Sequence, residues 1–165
     1  MTTITLHAAD AAATEAFGAR LAPAFVGGMV VTLSGELGSG KTTLVRGCLR
    51  ALGWRGTVKS PTYTLVENYA FSSLYFYHFD FYRFDDPAEW DTAGLADCFR
   101  GDSVCLVEWP EHVAGKLPSP DLEITLSHPV NPDEAGRFIS LRALTREGER
   151  CARAMSAPAE APPRP

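Results

Sequence analysis

The first dense apolar run in the chain is MVVTL, Met29 to Leu33, bounded by Gly27-Gly28 before it and by a glycine-rich stretch after it. A short run closed off by glycines predicts a buried strand. Beyond the glycine-rich stretch, Leu44, Val45, Cys48, Leu49 and Leu52 recur at helical spacing, and Gly53 stands where a left-handed C-terminal cap is expected. Strand, loop and helix therefore follow in that order. LYFYHFDFYRF, Leu74 to Phe84, is rich in aromatic, strand-favouring residues, and Asp86-Pro87-Ala88-Glu89 then supplies an N-cap, a first-turn proline and a capping-box glutamate. SVCLV, Ser103 to Val107, predicts another buried strand, ending at Glu108-Trp109-Pro110. DLEITLSH and RFISLRAL predict a strand pair joined by the turn-rich Pro129 to Gly136. The expected fold is α/β: a P-loop NTPase-like three-layer sandwich with a mainly parallel central sheet and an antiparallel C-terminal strand pair.

Length and composition narrow this picture. A chain of 165 residues that is 45% hydrophobic holds one core and not two, so residues 1–150 are expected to form a single domain. Residues 151–165 are expected to be a Pro/Ala-rich disordered tail, most clearly from Ser156 to Pro165. A net charge of -5 and three lysines in all argue against a broad surface for DNA or for an anionic membrane. No stretch approaches the roughly 18 apolar residues of a membrane helix and the N-terminus has no signal-peptide pattern, so the expected location is cytoplasmic. Cys48, Cys98, Cys105 and Cys151 form no C-x-x-C pair and read as buried free thiols.

The chemistry gathers on the glycine-rich stretch. Gly35, Glu36, Leu37, Gly38, Ser39, Gly40, Lys41 and Thr42 match G-x-x-x-x-G-K-[ST] between an expected strand and an expected helix, with Thr43 following. Glycines let successive N–H groups turn toward a phosphate, and the helix start adds partial positive charge. Lys41 can reach the outer phosphates, and the Thr42 hydroxyl suits a magnesium ion, which needs one or two protein oxygens beside phosphate and water.

Such a loop needs a carboxylate from a neighbouring strand. Glu108 closes the most apolar strand and is expected at the carboxyl edge where open α/β sheets bind ligands. Asp80 alternates with Phe79 and Phe81, so it faces away from them and requires a partner: a ligand, Arg83 or His78. His78 fits a hydrogen-bonded core histidine better than a catalytic base, and Tyr69, Phe71, Tyr75, Tyr77 and Trp109 fit core better than partner surface. Thr62, in Lys59-Ser60-Pro61-Thr62-Tyr63-Thr64, is placed to sense a terminal phosphate or its metal. The N-K-x-D guanine motif is absent, which favours adenine. The competing reading is a small-molecule P-loop kinase, although only Arg83 and Arg100 lie between Lys59 and Glu108 to serve as lid arginines.

GELGSGKTTLVRG, VKSPTYTLVENY, YHFDFYR and CLVEWPE, in this order, resemble the bacterial TsaE (YjeE) family of small P-loop ATPases required for N6-threonylcarbamoyladenosine in transfer RNA. The resemblance runs from about Val31 to Leu126. It implies that ATP and Mg2+ are the cofactors, with Leu37 to Thr42 on the phosphates and Thr42 and Glu108 on the metal. Asp80 would contact the nucleotide site, Thr62 would lie in a switch-like loop, and Trp109 also matches the family's motif. It further implies an ATPase weak alone and stimulated by TsaB and TsaD, which it binds and resets, with transfer RNA reached only through that complex. Family adenine contacts come from the N-terminal segment and the late strand pair, where Thr14, Pro132 and Arg137 are the candidates. Lys41, Asp80, Glu108 and Thr62 form the expected catalytic set. Phe81 stands where the family often has leucine, and nothing beyond Arg150 aligns.

Overall fold

Seven strands in one sheet organise residues 1–157. The computed structural model describes residues 1–157. They form β1 (Thr3–Ala8), α1 (Ala11–Leu21), β2 (Val30–Ser34), α2 (Lys41–Ala51), β3 (Val66–Ala70), β4 (Tyr75–Asp80), α3 (Glu89–Ala93), β5 (Ser103–Glu108), β6 (Leu122–Ser127), β7 (Arg137–Ala143) and α4 (Arg146–Ser156). Short 3-10 turns lie at Ala22–Ala24, Leu95–Cys98 and Pro110–Val113. The strand order is β1-β7-β6-β2-β5-β4-β3. β6, β2, β5 and β4 run parallel, while β6–β7, β1–β7 and β3–β4 pair antiparallel. The mainly parallel centre and the antiparallel C-terminal pair match the expected class. Two antiparallel additions were not expected: β1 widens the sheet at one edge and β3 closes the other.

Strand alternation divides the interior in two. Val31 and Leu33 of β2, Phe76 of β4, and Val104 and Leu106 of β5 pack with α1, α2 and α4 in the larger core. Phe79 of β4 and Cys105 and Val107 of β5 face the other way, into a second core with Phe81, Phe84, Trp90, Leu95 and Val113. All six residues of β5 are buried, as a strand covered on both faces requires. The second core is mostly aromatic: Phe79 stacks on Phe81 and Phe99, and Phe81 meets the edge of Trp90. α3 is short, yet its start carries the reciprocal bonds its sequence predicts. Asp86 accepts from the Ala88 N–H, and Glu89 reaches back to the N–H groups of Asp85 and Asp86.

α1 and α2 touch through their backbones. A Cβ on Gly47 would lie 1.9 Å from the Glu15 carbonyl oxygen, and one on Gly18 would lie 2.1 Å from that of Leu44. On a bare helix, alanine gains about 1 kcal/mol over glycine. Here the obstructing atom is a main-chain oxygen, so the helices must separate. Gly47→Ala is expected to cost about 1–3 kcal/mol net and to lower the melting temperature by several degrees. An unchanged or higher melting temperature on thermal denaturation would show that the helices yield freely.

The boundary expected at residue 150 falls inside α4 and is corrected by the structure. The helix continues to Ser156 and buries Cys151, Ala152 and Met155. Thr145 caps it by accepting from the Gly148 N–H, and Arg20 of α1 donates to the carbonyls of Met155 and Ala157. The rest of the expected tail, residues 158–165, lies outside the described residues. Cys48, Cys105 and Cys151 are buried and Cys98 half-buried, all as free thiols. Burial pushes the Cys105 thiol up to about 12 and that of Cys151 to about 11. Tyr69 is buried against Trp54 and Phe76, in accord with the core reading, whereas Tyr75 is exposed. Among the described residues, no helix is long and apolar enough to cross a membrane.

Candidate nucleotide site

β2 delivers the chain to the carboxyl edge of the sheet, where its neighbours β5 and β6 lie on either side. The connections from β2 diverge there, and open α/β sheets form their ligand crevices at such a point. The glycine-rich loop occupies it, between Ser34 and the first residue of α2, Lys41. Gly40 sits at the helix start with φ 104°, a left-handed conformation that a side chain would strain. The first-turn N–H groups of α2 have no intrahelical acceptor and point out of the helix end, toward the crevice.

Lys41 is 5% exposed, and its ammonium is held inside the loop. It donates to the carbonyls of Gly35 (2.7 Å) and Glu36 (2.9 Å) and lies 4.5 Å from the centre of the Trp109 ring. Burial lowers its pKa from the ordinary lysine value, opposed by the carboxylates of Glu108, Asp80 and Glu111. Trp109 has φ 56°, unusual for a residue with a side chain. Its ring contacts Tyr82 and His112, and His112 bonds the Phe81 carbonyl at 2.8 Å.

The parallel register sets Asp80 beside Glu108 and Glu108 beside Leu33, so both carboxylates end their strands next to the loop. Glu108 Oε1 accepts from the Thr42 hydroxyl at 3.1 Å and contacts His78 Nε2 at 2.7 Å. Asp80 is engaged on both oxygens. Oδ2 accepts from Ser60 (2.6 Å) and Thr62 (3.3 Å), and Oδ1 accepts from the Tyr82 N–H (2.8 Å). The two partners expected for Asp80 are thus replaced by loop hydroxyls: His78 turns to Glu108, and Arg83 stacks over Tyr63, 4.0 Å from its ring centre. Leu65, with φ 67°, closes the loop, its N–H on the Pro61 carbonyl and its carbonyl on the Asp80 N–H.

These groups line a cleft of about 340 Å³, bounded by Leu37 to Thr43, Ser60, Thr62, Asp80, Tyr82, Glu108 and Trp109. Of the residues expected there from sequence, Gly35 and Glu36 alone stand behind the wall, where their carbonyls hold Lys41. Ser60 and Tyr82 were missed. A second cleft of about 180 Å³ shares Gly38, Ser39, Gly40 and Thr43 with the first and continues to Asp10, Thr14, Gly136 and Arg137. Of the three residues named from the family resemblance, Thr14 and Arg137 line this cleft and Pro132 does not. Arg137 also donates to the Ser39 carbonyl at 3.2 Å, tying β7 to the loop.

A glycine-rich loop between a parallel strand and the helix it starts, facing a carboxylate on the adjacent strand, defines a P-loop-type α/β protein. The match is narrower than that class. The family model described as "Threonylcarbamoyl adenosine biosynthesis protein TsaE" covers residues 8–136, and the chain belongs to the TsaE family. It is 46% identical over 128 residues to the tRNA threonylcarbamoyladenosine biosynthesis protein TsaE of Haemophilus influenzae, spanning 78% of each chain. Its counterpart in Bacillus subtilis is 42% identical over 109 residues, 66% of this chain and 68% of that one. The crystal structure of Bacillus subtilis YdiB superposes with a TM-score of 0.76 at 31% identity, covering 94% of this chain and 95% of that one. The family's place is in the biosynthesis of threonylcarbamoyladenosine in tRNA.

Proposed function

We propose that this chain is a Mg2+-dependent ATPase, a single domain working in the cytoplasm, that serves tRNA threonylcarbamoyladenosine formation by binding and resetting a TsaB–TsaD complex. One observation carries the reading: Lys41, Thr42 and Glu108 converge on one cleft at the N-terminus of α2. The triphosphate lies along Leu37 to Thr43, receiving main-chain N–H groups, with Lys41 exchanging the Gly35 and Glu36 carbonyls for the outer phosphates. The base lies in the second cleft, between Thr14 and Arg137, so that the glycine loop bridges the two halves of the nucleotide.

The oxygen donors fit magnesium. The Thr42 hydroxyl lies 3.1 Å from the Glu108 carboxylate, and the two would hold the ion through Thr42 Oγ1 and the second carboxylate oxygen, leaving the remaining positions to phosphate and water. Held by Thr42 and Glu108, magnesium would supply neutralisation of the charge on the phosphates. Glu108 is favoured over Asp80 to orient the attacking water, because Asp80 already accepts three hydrogen bonds from Ser60, Thr62 and Tyr82. Asp80 instead fastens the Ser60–Thr62 loop, and Thr62 follows the state of the site through it. The acidic net charge suits a protein that meets tRNA through others.

Phosphate release from radiolabelled ATP, with and without TsaB and TsaD, tests this reading. The expected result is slow hydrolysis alone and a clear increase as the complex saturates. An unchanged rate at saturation removes the coupling to those partners. Transfer of label to a small metabolite would mark a kinase.

A further inference from the structure

His78 is fully buried, yet it is not a passive core residue. Its neighbours on the same face of the sheet are Phe76 and Leu106, and among the described residues its ring makes one hydrogen bond, 2.7 Å from Nε2 to Glu108 Oε1. The other ring nitrogen, Nδ1, is the one buried side-chain polar atom without a partner among the described residues. We propose that His78 is the positioning residue for Glu108, holding its carboxylate through an Nε2–H donor so that one oxygen is fixed and the other is left for the reaction. The proposal rests on the ATPase reading of the cleft.

The geometry leads to this assignment in three steps. A nitrogen and a carboxylate oxygen 2.7 Å apart require a proton between them, since two bare acceptors repel at that distance. Oε1 also accepts the Thr42 hydroxyl, so two donors converge on a single oxygen. The proton toward Glu108 is therefore the ring's own, and the neutral ring leaves its lone pair on Nδ1. An orphaned ring N–H would be the costlier arrangement, and placing the proton on Nε2 avoids it. With Oε1 saturated by His78 and Thr42, Oε2 is the oxygen that meets the cleft.

β4 imposes the orientation. His78 stands opposite Leu106 in register, two residues before the Asp80–Glu108 pair, so its ring reaches along β5 to the glutamate. Histidines that orient a site carboxylate from behind commonly cost 10- to 100-fold when removed.

The test compares three substitutions chosen by atom position. His78→Gln carries an amide N–H near the place of Nε2, His78→Asn carries one near Nδ1, and His78→Leu fills space without a donor. Steady-state hydrolysis is expected to fall about tenfold or more in kcat for Leu and Asn, with KM changing little, and to recover to within about threefold for Gln. In a Glu108→Gln background, His78→Leu should add little to the loss, because the two residues act as one unit. Equal losses for all three variants in step with their melting temperatures, or additive losses in the double variant, would reduce His78 to a packing residue. A second readout needs no turnover. In nucleotide-free protein carrying nitrogen-15 histidine, with His78→Gln to assign the signal, the His78 ring should be the Nε2–H tautomer, and its Nε2 resonance should move in Glu108→Gln. An Nδ1–H tautomer overturns the proposal even in a protein that hydrolyses ATP. The expected tautomer in a protein that does not hydrolyse ATP keeps the His78–Glu108 unit and sinks the ATPase reading instead.

Discussion

On the proposed ATPase function, Lys41→Ala is expected to lower ATP affinity by roughly 10- to 100-fold, the effect of losing a charged donor worth about 1.5–3 kcal/mol. Hydrolysis is expected to fall further, by about 100-fold or more, because the cation would also meet charge that grows in the transition state. Burial makes the effect large. Lys41 is 5% exposed, and the carboxylates of Glu108 and Asp80 act on it electrostatically, so its removal leaves two acidic groups facing the phosphates without a cation from the loop. The loop also loses its internal staple to Gly35 and Glu36. Fluorescent-nucleotide titration and phosphate release at saturating magnesium measure the two losses separately. Near-normal affinity would mean that the glycine-loop amides hold the phosphates by themselves.

Glu108→Gln separates binding from turnover. Glutamine keeps an oxygen that can accept from Thr42 and His78, so the local bonds survive while the charge is removed. Hydrolysis is expected to fall roughly tenfold or more, at least about 1.4 kcal/mol of barrier, with affinity changed much less. The same two assays read this out. A variant that hydrolyses ATP like the wild type would move the water-orienting role to Asp80, whose oxygens would then have to leave Ser60 and Thr62.

The elements legible in the sequence are those whose apolar residues are large and bounded. MVVTL and SVCLV lie between glycines or polar turns and sit at the centre of the sheet, where both faces are covered. The four elements not anticipated carry weaker signals. β1 and β3 are edge strands with one covered face at most, and VENYA carries three polar or charged-neighbour positions in five residues. α1 is built on alanine and glycine, and of its buried residues only Phe17 and Leu21 are large and apolar. α4, REGERCARAMS, looks like a solvated run because its buried face is Cys151, Ala152 and Met155, supported by the cap at Thr145. For the site, the motif and the strand-end rule located Lys41, Thr42 and Glu108 in the sequence. The partners of the acids were beyond reach. Which residue meets Glu108 depends on the β4–β5 register, and Asp80 bonds a loop 18 to 20 residues upstream.

β4 links folding to chemistry more tightly than any other strand. Its alternate residues serve different interiors: Asp80 lines the cleft with His78 buried on the same face behind Glu108, and Phe79 faces the aromatic core. Deleting or inserting one residue would turn Phe79 toward the glycine loop and bury carboxylate and imidazole among aromatic rings. A change of length between Tyr75 and Asp80 would therefore exchange the two interiors, whereas the exposed segment 130–135 can change length without moving either. The second cleft is assembled differently: Thr14 and Arg137 come from separate elements, and because Arg137 also holds the Ser39 carbonyl, a change there reaches the glycine loop as well.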